Sequence, residues 1–328
     1  MASPTTQVSV GAVGTVAARR TERAVRLATA AGRELGLRPK DPRVLYDVFN
    51  VLVHLAPEPV VVRVPSLVLS SAEEQGVKQR RELAVAGWLA DTGAPVVRPS
   101  PLVPREPVVC EGTSMTCWEF VDEKDRLTVE EMAAAGPERL AGRFAEGAGW
   151  AAGLHERLAA YPGADDLPML TPLVPGTGTM LAELRKRPQF LTTADLDRAA
   201  AEYAAAEDFV ADPAAYFPGV RLQPLHGDAP GYNVLRTADG HLFCDFEDAT
   251  YGPVEWDLTQ VGATGVEAYE RASGVRLDRA LLGLLDGARL LQTVGALALV
   301  PMMPELASML EPAIEQWRAR EPLTVVKA

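Results

Sequence analysis

The chain has 328 residues, 48% of them hydrophobic and 23% charged, a balance that supports packed cores and excludes an intrinsically disordered chain. Its formal net charge of −12 argues against nucleic acid as a partner, because a phosphate backbone is held by a basic face, and is compatible with a cationic small molecule. The length allows one large domain or two lobes with separate cores.

The charge is uneven. The first 40 residues carry Arg19, Arg20, Arg23, Arg26, Arg33, Arg38 and Lys40 against Glu22 and Glu34. The stretch over 12–36 has helical character, with Val16, Val25, Leu27 and Leu35 among Ala and Arg, and Pro39 and Pro42 end it. A surface helix after a short tail is expected here rather than a transit peptide, and no apolar segment follows Met1 to suggest a secretory signal. Then the period changes. VLVHL at 51–55 and VVVRV at 60–64, separated by Pro57 and Pro59, read as antiparallel strands. A helix is expected over 72–91, ending near Gly93 and Pro95. A further strand pair is expected around Val96–Val97 and Pro107–Cys110, and a last strand at 114–121, before the charged run 122–126.

Beyond that point the composition is helical: 128–160 with Met132, Leu140, Phe144, Trp150, Leu154 and Leu158, then 193–211, then Trp256 to Arg320. The apolar run Leu290–Pro304 is shorter than the roughly 20 residues a membrane span needs and reads as a buried helix. His155 sits inside an apolar helical pattern and reads as a satisfied core residue. Cys110, Cys117 and Cys244 form no Cys-x-x-Cys pair and read as thiols in a reducing compartment. The order is a small strand-rich part with one central helix, followed by a large, mainly helical part, which is an α+β arrangement in two lobes.

Strand signal returns once amid the helices, in LHGDAPGYNVL at 225–235 and LFCDFED at 242–248. Residues 232–235 and 242–245 read as the two strands of a hairpin turned at Thr237-Ala238-Asp239-Gly240. The hairpin would bring Asn233 near Asp245, both close to the loop holding Asp228. Phosphoryl transfer requires a carboxylate to orient the attacking hydroxyl, oxygen ligands for Mg²⁺ and cations on the phosphates. Asp228, Asn233 and Asp245 offer the first two. Each taken singly could be a turn residue bonding its own backbone, but that does not account for the spacing of all three.

HGD-x4-N, a hairpin, DFE, Gly252 and WDL at 256–258 resemble the catalytic loop and metal-binding motif of the aminoglycoside phosphotransferase and choline kinase-like families, relatives of the protein kinases. The resemblance implies a two-lobed protein-kinase-like fold, with a small antiparallel-sheet N-lobe and a larger helical C-lobe. It implies that Asp228 is the catalytic base, that Asn233 and Asp245 bind Mg²⁺, and that His226 and Asp257 support the catalytic loop. Kinase-like N-lobes place a cation on the third strand and pair it with a helix Glu. Arg63 and Glu82 stand at those places, and the backbone of Glu119 and Val121 would meet the purine of ATP or GTP. The boundaries expected are 1–40 for a tail and helix, 41–117 for a nucleotide-binding N-lobe, 118–122 for a hinge and 123–328 for a C-lobe with the catalytic loop and acceptor site.

The implied activity is Mg²⁺-dependent transfer of a γ-phosphate to a hydroxyl of a small molecule, such as an aminoglycoside or other antibiotic, an amino sugar or an amino alcohol. Glu247, Asp248 and Glu255 are candidate contacts for ammonium groups of the acceptor. The implied setting is cytoplasmic, without membrane or nucleic acid, as a monomer or weak dimer. Three features depart from the family pattern: Arg63 replaces the usual Lys, YDVFN at 46–50 carries no glycine, and Pro230-Gly231 falls one residue early. Two alternatives stay open, a kinase-like nucleotide-binding module without activity and a metal-dependent hydrolase built on His226, Asp228, Asp245 and Glu247.

Overall fold

The computed structural model describes residues 10–67, 69–126, 131, 137–187, 190–228 and 230–327; the side chains of residues 10–16 and of Pro137 lie outside the description. The chain forms two compact units that are not continuous in sequence. The first takes the residues up to Arg80, Pro99–Phe120 and Leu299–Met309. The second takes Arg81–Arg98, Val121–Ala298 and Leu310–Ala328.

The first unit begins with helix α1, Val10–Glu34. It ends because Gly36 adopts a left-handed φ of 85°, which lets Gly36 N–H bond Arg33 O at 3.0 Å and Leu37 N–H bond Gly32 O at 2.9 Å, the reverse turn that closes many helices. Five antiparallel strands follow in the order β1-β2-β3-β5-β4: β1 Asp41–Asp47, β2 Asn50–Ala56, β3 Val60–Pro65, β4 Val108–Cys110 and β5 Thr113–Glu119. Alternation divides this sheet into two faces. Val51, Val53, Leu55, Val60, Val62, Val64, Met115 and Cys117 pack against Ala24, Leu27, Ala28 and Ala31 of α1. The other face carries Leu52, Arg63 and Thr116 in one cross-strand row and His54, Val61 and Trp118 in the next.

The basic N-terminal helix therefore closes one side of this core. Arg20 Nε donates to Asp47 Oδ1 at 2.9 Å, and Thr21 Oγ1 also bonds Asp47, so the helix holds the end of β1 as well as the sheet face. Helix α2, Ala72–Asp91, starts with a reciprocal cap. Glu74 N–H donates to Ser71 Oγ at 3.2 Å and Ser71 N–H donates to Glu74 Oε2 at 2.7 Å. The expected strand pair between 96–97 and 107–110 does not form. Val108–Cys110 pairs with β5 instead, and Val96 bridges to Phe243 in the second unit's own hairpin.

In the second unit, α3 (Pro137–Leu158), α4 (Gly178–Lys186), α5 (Thr193–Ala211), α6 (Pro213–Tyr216), α7 (Gly262–Ser273), α8 (Arg279–Gly295) and α9 (Leu306–Ala319, from Leu310 on) surround two small sheets. Met132 and the first part of the helix expected over 128–160 lie outside the described residues. β6 (Gln223–Leu225) pairs with β9 (Thr250–Gly252), and β7 (Val234–Thr237) pairs with β8 (Gly240–Phe243). Ala148, Ala151 and Ala152 of α3 pack on Val266 and Tyr269 of α7. Leu281, Leu285 and Ala288 of α8 pack on Phe209, Leu225 and Trp256. By length and composition Arg279–Leu299 could cross a membrane, but its apolar stripe lies in this core.

Leu27 is fully buried in the first unit. Leu27→Ala should therefore cost about 2–5 kcal/mol, the range for a truncated core Leu, read as a fall in the chemical denaturation midpoint. A change within about 0.5 kcal/mol, the scale of a surface position, would show that α1 is dispensable to the core.

Candidate functional site

β6 and β9 carry the segment that matters, because the chain leaves β6 directly into His226-Gly227-Asp228. The buried Asp257, in the helical turn Val254–Leu258, fixes this loop by its backbone. Its Oδ2 accepts from His226 N–H at 2.9 Å and its Oδ1 from Gly227 N–H at 2.8 Å. Trp256 Nε1–H donates to Gly227 O at 2.8 Å. His155 supports Asp257 from behind. His155 Nε2–H donates to Asp257 Oδ2 at 3.0 Å, and Tyr269 O–H donates to His155 Nδ1 at 2.9 Å. Burial alone would raise the Asp257 carboxyl. The hydrogen bonds from His155 and from the Gly227 N–H together hold it below the usual carboxylate range.

Gly227 has a φ of 92°, and a Cβ there would overlap the Asp248 carbonyl oxygen. Only glycine meets both demands. His226 ties the loop to the hairpin. Its Nε2 lies 2.8 Å from the Cys244 carbonyl, which can only accept, so Nε2 carries the proton. Nδ1 is then the acceptor for Asp228 N–H at 3.3 Å. The imidazole is buried, which pushes its pKa below the ordinary value and keeps it neutral.

The hairpin forms with the expected two-residue turn, Thr237 opposite Gly240. Cys244 N–H donates to Asn233 O at 3.0 Å, which sets Asn233 opposite the residue before Asp245. Asn233 Nδ2 donates to Asp228 O at 2.7 Å and to Asp228 Oδ2 at 3.2 Å. That leaves the amide oxygen as the atom able to face a cation. Asp245 has a left-handed φ of 66°, a conformation that costs a non-glycine residue about 1–3 kcal/mol and that concentrates at functional sites. Among the described residues no group of three or more His, Cys, Asp or Glu side chains is placed to hold a metal alone. Mg²⁺ commonly takes only one or two protein carboxylates and completes its shell with phosphate and water, so an Asn oxygen with Asp245 fits it.

Asp228, Asn233, Asp245, His226 and Asp257 are thus brought together within the second unit. Glu247 and Asp248 are half-buried beside them, and Arg81 Nη2–H donates to Glu247 O at 3.2 Å. Glu255 is turned inward, where its Oε1 accepts from Asp278 N–H at 3.0 Å at the start of α8. It is therefore a packing acid rather than one open to a ligand. Arg63 is buried on β3 and Glu82 is buried on α2, while Glu119 and Val121 are half-buried. Sequence reasoning passed over Arg289. It lies in α8 with its Nη1 3.6 Å from Asp228 Oδ1 and its guanidinium carbon 3.9 Å from the centre of the Trp256 ring. The available signal was an arginine set among the leucines of Leu281–Leu291, where Asp286 is the other charge, because an arginine buried there requires partners.

The sequence matches the model of a family described as the phosphotransferase enzyme family over residues 47–291. No curated protein sequence matches the chain. Many solved structures share its fold, these three among them. An amicoumacin kinase in complex with AMP-PNP and Ca²⁺ has 13% identity, a TM-score of 0.62 and coverage of 94% of this chain and 96% of that one. The GDP complex of an aminoglycoside 2'-phosphotransferase has 15% identity, a TM-score of 0.54 and coverage of 90% and 99%. A choline/ethanolamine kinase family protein from Mesorhizobium loti has 14% identity, a TM-score of 0.50 and coverage of 89% and 97%. The expected kinase-like α+β fold is the fold observed.

Gly227→Ala should prevent the loop from closing on Asp248, with a loss of thermal stability comparable to a core truncation; a melting temperature within 1–2 °C of wild type, as a surface change gives, would contradict the fit (about 1 kcal/mol shifts Tm by roughly 2–4 °C at this scale). His226 binds fewer protons in the folded chain than in the unfolded one. Stability should therefore fall as the pH drops below the ordinary histidine value of 6.5. His226→Gln should flatten the dependence of Tm on pH below that value, and an unchanged slope would show that another group carries it.

Proposed function

Because the chain belongs to the phosphotransferase enzyme family, we propose that it is a small-molecule kinase that transfers the γ-phosphoryl group of ATP or GTP to a hydroxyl. The observation that carries this reading is the Asp228–Asn233 contact at 3.2 Å, in a loop whose backbone is pinned by the buried Asp257. Asp228 is half-exposed, its side chain 47% accessible, so a substrate hydroxyl can reach it. Its carboxylate accepts a hydrogen bond from that hydroxyl, aims the oxygen at the phosphorus and receives the proton as the new bond forms. Asn233 holds one carboxylate oxygen, so the rotamer is set before the substrate arrives.

Asn233, through its amide oxygen, and Asp245 would hold Mg²⁺, which would supply charge neutralisation to the nucleotide phosphates. Arg63 supplies the cation for the α- and β-phosphates, and Arg for Lys changes a point charge into a planar fork. The backbone of Glu119 and Val121 meets the purine. On this reading Glu82 is the partner acid of Arg63. The net charge and the acids Glu247 and Asp248 favour an acceptor bearing amines, as the names of the structural relatives also suggest. Among the alternatives a hydrolase built on His226 is disfavoured, because both ring nitrogens of His226 are already committed to Cys244 and Asp228.

The test is nucleotide consumption with Mg²⁺ over a panel of aminoglycosides, amicoumacin, macrolides, cyclic-peptide antibiotics, amino sugars, choline, ethanolamine and homoserine. Asp228→Asn should lower turnover by about 10²–10⁴ while nucleotide affinity is kept. Intact turnover in that variant would remove Asp228 from the reaction. Nucleotide binding with no turnover across the panel would favour an inactive module, and metal-dependent hydrolysis indifferent to nucleotide would favour a hydrolase.

A further inference from the structure

The guanidinium of Arg289 is buried in the second unit, its side chain 8% accessible, and each of its nitrogens has a defined neighbour. Nε–H donates to Thr259 Oγ1 at 3.1 Å and Nη1–H to Gln292 Oε1 at 2.8 Å. Nη2–H donates to Gly227 O and to Trp256 O, both at 3.3 Å. The plane is stacked on the Trp256 ring. These neighbours take four of the five N–H donors, and all of them are neutral. A buried guanidinium stays protonated and needs an opposing charge. The carboxylate in ion-pair range is that of Asp228, with Nη1 3.6 Å from Oδ1. Asp257, Asp248 and Asp286 contribute to the field more weakly than Asp228 does.

The two oxygens of Asp228 are thereby addressed from opposite elements. Oδ2 takes the amide of Asn233 from the start of the hairpin, and Oδ1 faces the guanidinium from α8. A distance of 3.6 Å is too long for a hydrogen bond. The contact therefore acts by charge and leaves the lone pairs of Oδ1 open to an incoming hydroxyl. Arg289 is itself immobile. It is clamped to Thr259 and Gln292, stacked on Trp256, and rooted in a helix whose apolar stripe lies in the core.

We propose that Arg289 is a positioning residue for phosphoryl transfer, a fixed buried cation that holds the Asp228 carboxylate in the orientation that receives the acceptor hydroxyl. This rests on the kinase reading of the site and adds to it a contribution from the C-terminal helices, which supply no part of the HGD-x4-N and DFE motifs. The role differs from that of a structural tie, because it operates through Asp228 and vanishes when Asp228 is disabled.

The experiment is a double-substitution cycle in the full chain, with Mg·ATP and Mg·GTP as donors, scored with water and with the panel compound giving the fastest turnover. Arg289→Met should lower kcat by about 10- to 10²-fold, the scale of a misplaced reactive group, with KM for the nucleotide within about threefold of wild type. Arg289→Lys, which keeps the charge and loses the fork, should recover part of the loss. In an Asp228→Asn background, Arg289→Met should change kcat by less than about threefold, because residues that act as a unit are not additive. If Arg289→Met does not fold, the same cycle with Arg289→Lys gives the same non-additivity. Equal losses in both backgrounds, or a folded Arg289→Met with wild-type kcat, overturn the proposal while the kinase reading stands. A wild-type chain that turns over neither nucleotide overturns both, and the two failures are told apart by that control.

Discussion

The carboxylate of Asp257 is the constraint on which the candidate site depends. It is fully buried, and burying a charge without partners is prohibitive. Here it accepts two consecutive backbone N–H groups, those of His226 and Gly227, and a third bond from His155. Those bonds keep it ionised, and in return they force the backbone at 226–227 into one conformation. The left-handed Gly227 and the direction in which Asp228 leaves the loop follow from it. Tyr269, bonded to the far side of His155, extends the chain of hydrogen bonds from α7 to the loop, so the packing of α3 on α7 is transmitted to the loop that carries Asp228.

The second tie is His226, which joins the loop to the hairpin. A side chain that bonds a carbonyl with one nitrogen and an N–H with the other must be neutral and in a single tautomer. Burial enforces the neutral state. Phe246, the middle residue of the DFE segment, packs its ring 4.6 Å from the imidazole. The two halves of the motif, separated by a hairpin in sequence, are in this way held as one body, with Asp245 in a strained backbone conformation next to it. The arrangement has the character of a preorganised site, in which geometry is set by the scaffold before any substrate binds.

The first unit shows how a short sheet with strongly β-branched strands is completed. One face of β2, β3 and β5 is closed by α1. The opposite face carries Arg63 between Leu52 and Thr116. The N-terminal helix lies ahead of the segment matched by the family, which begins at residue 47, yet it provides four of the buried residues of that core.

Much of this could be read in the sequence. The β-branched run at 60–64 assigned β3 and, with Val62 and Val64 flanking it, placed Arg63 opposite to its neighbours, and the Thr-Ala-Asp-Gly turn assigned the hairpin and with it the nearness of Asn233 to Asp245. Those are local patterns, and local chemistry decides them. Other features were not legible. Residues 96–97 and 108–110 look alike as strand segments, and nothing within them says that one will bridge Phe243 and the other pair with β5. Glu255 reads as an acid near an active loop, and only packing turns it toward the start of α8. Arg289 stands 61 positions after Asp228 in an apolar stripe. Sequence determined the strands, the turn and the spacing of the acids, because each depends on neighbours along the chain. Tertiary structure alone decided that Glu255 would turn toward the start of α8 and that Arg289 would face Asp228, because a buried charge acquires its meaning from the partners that folding brings to it.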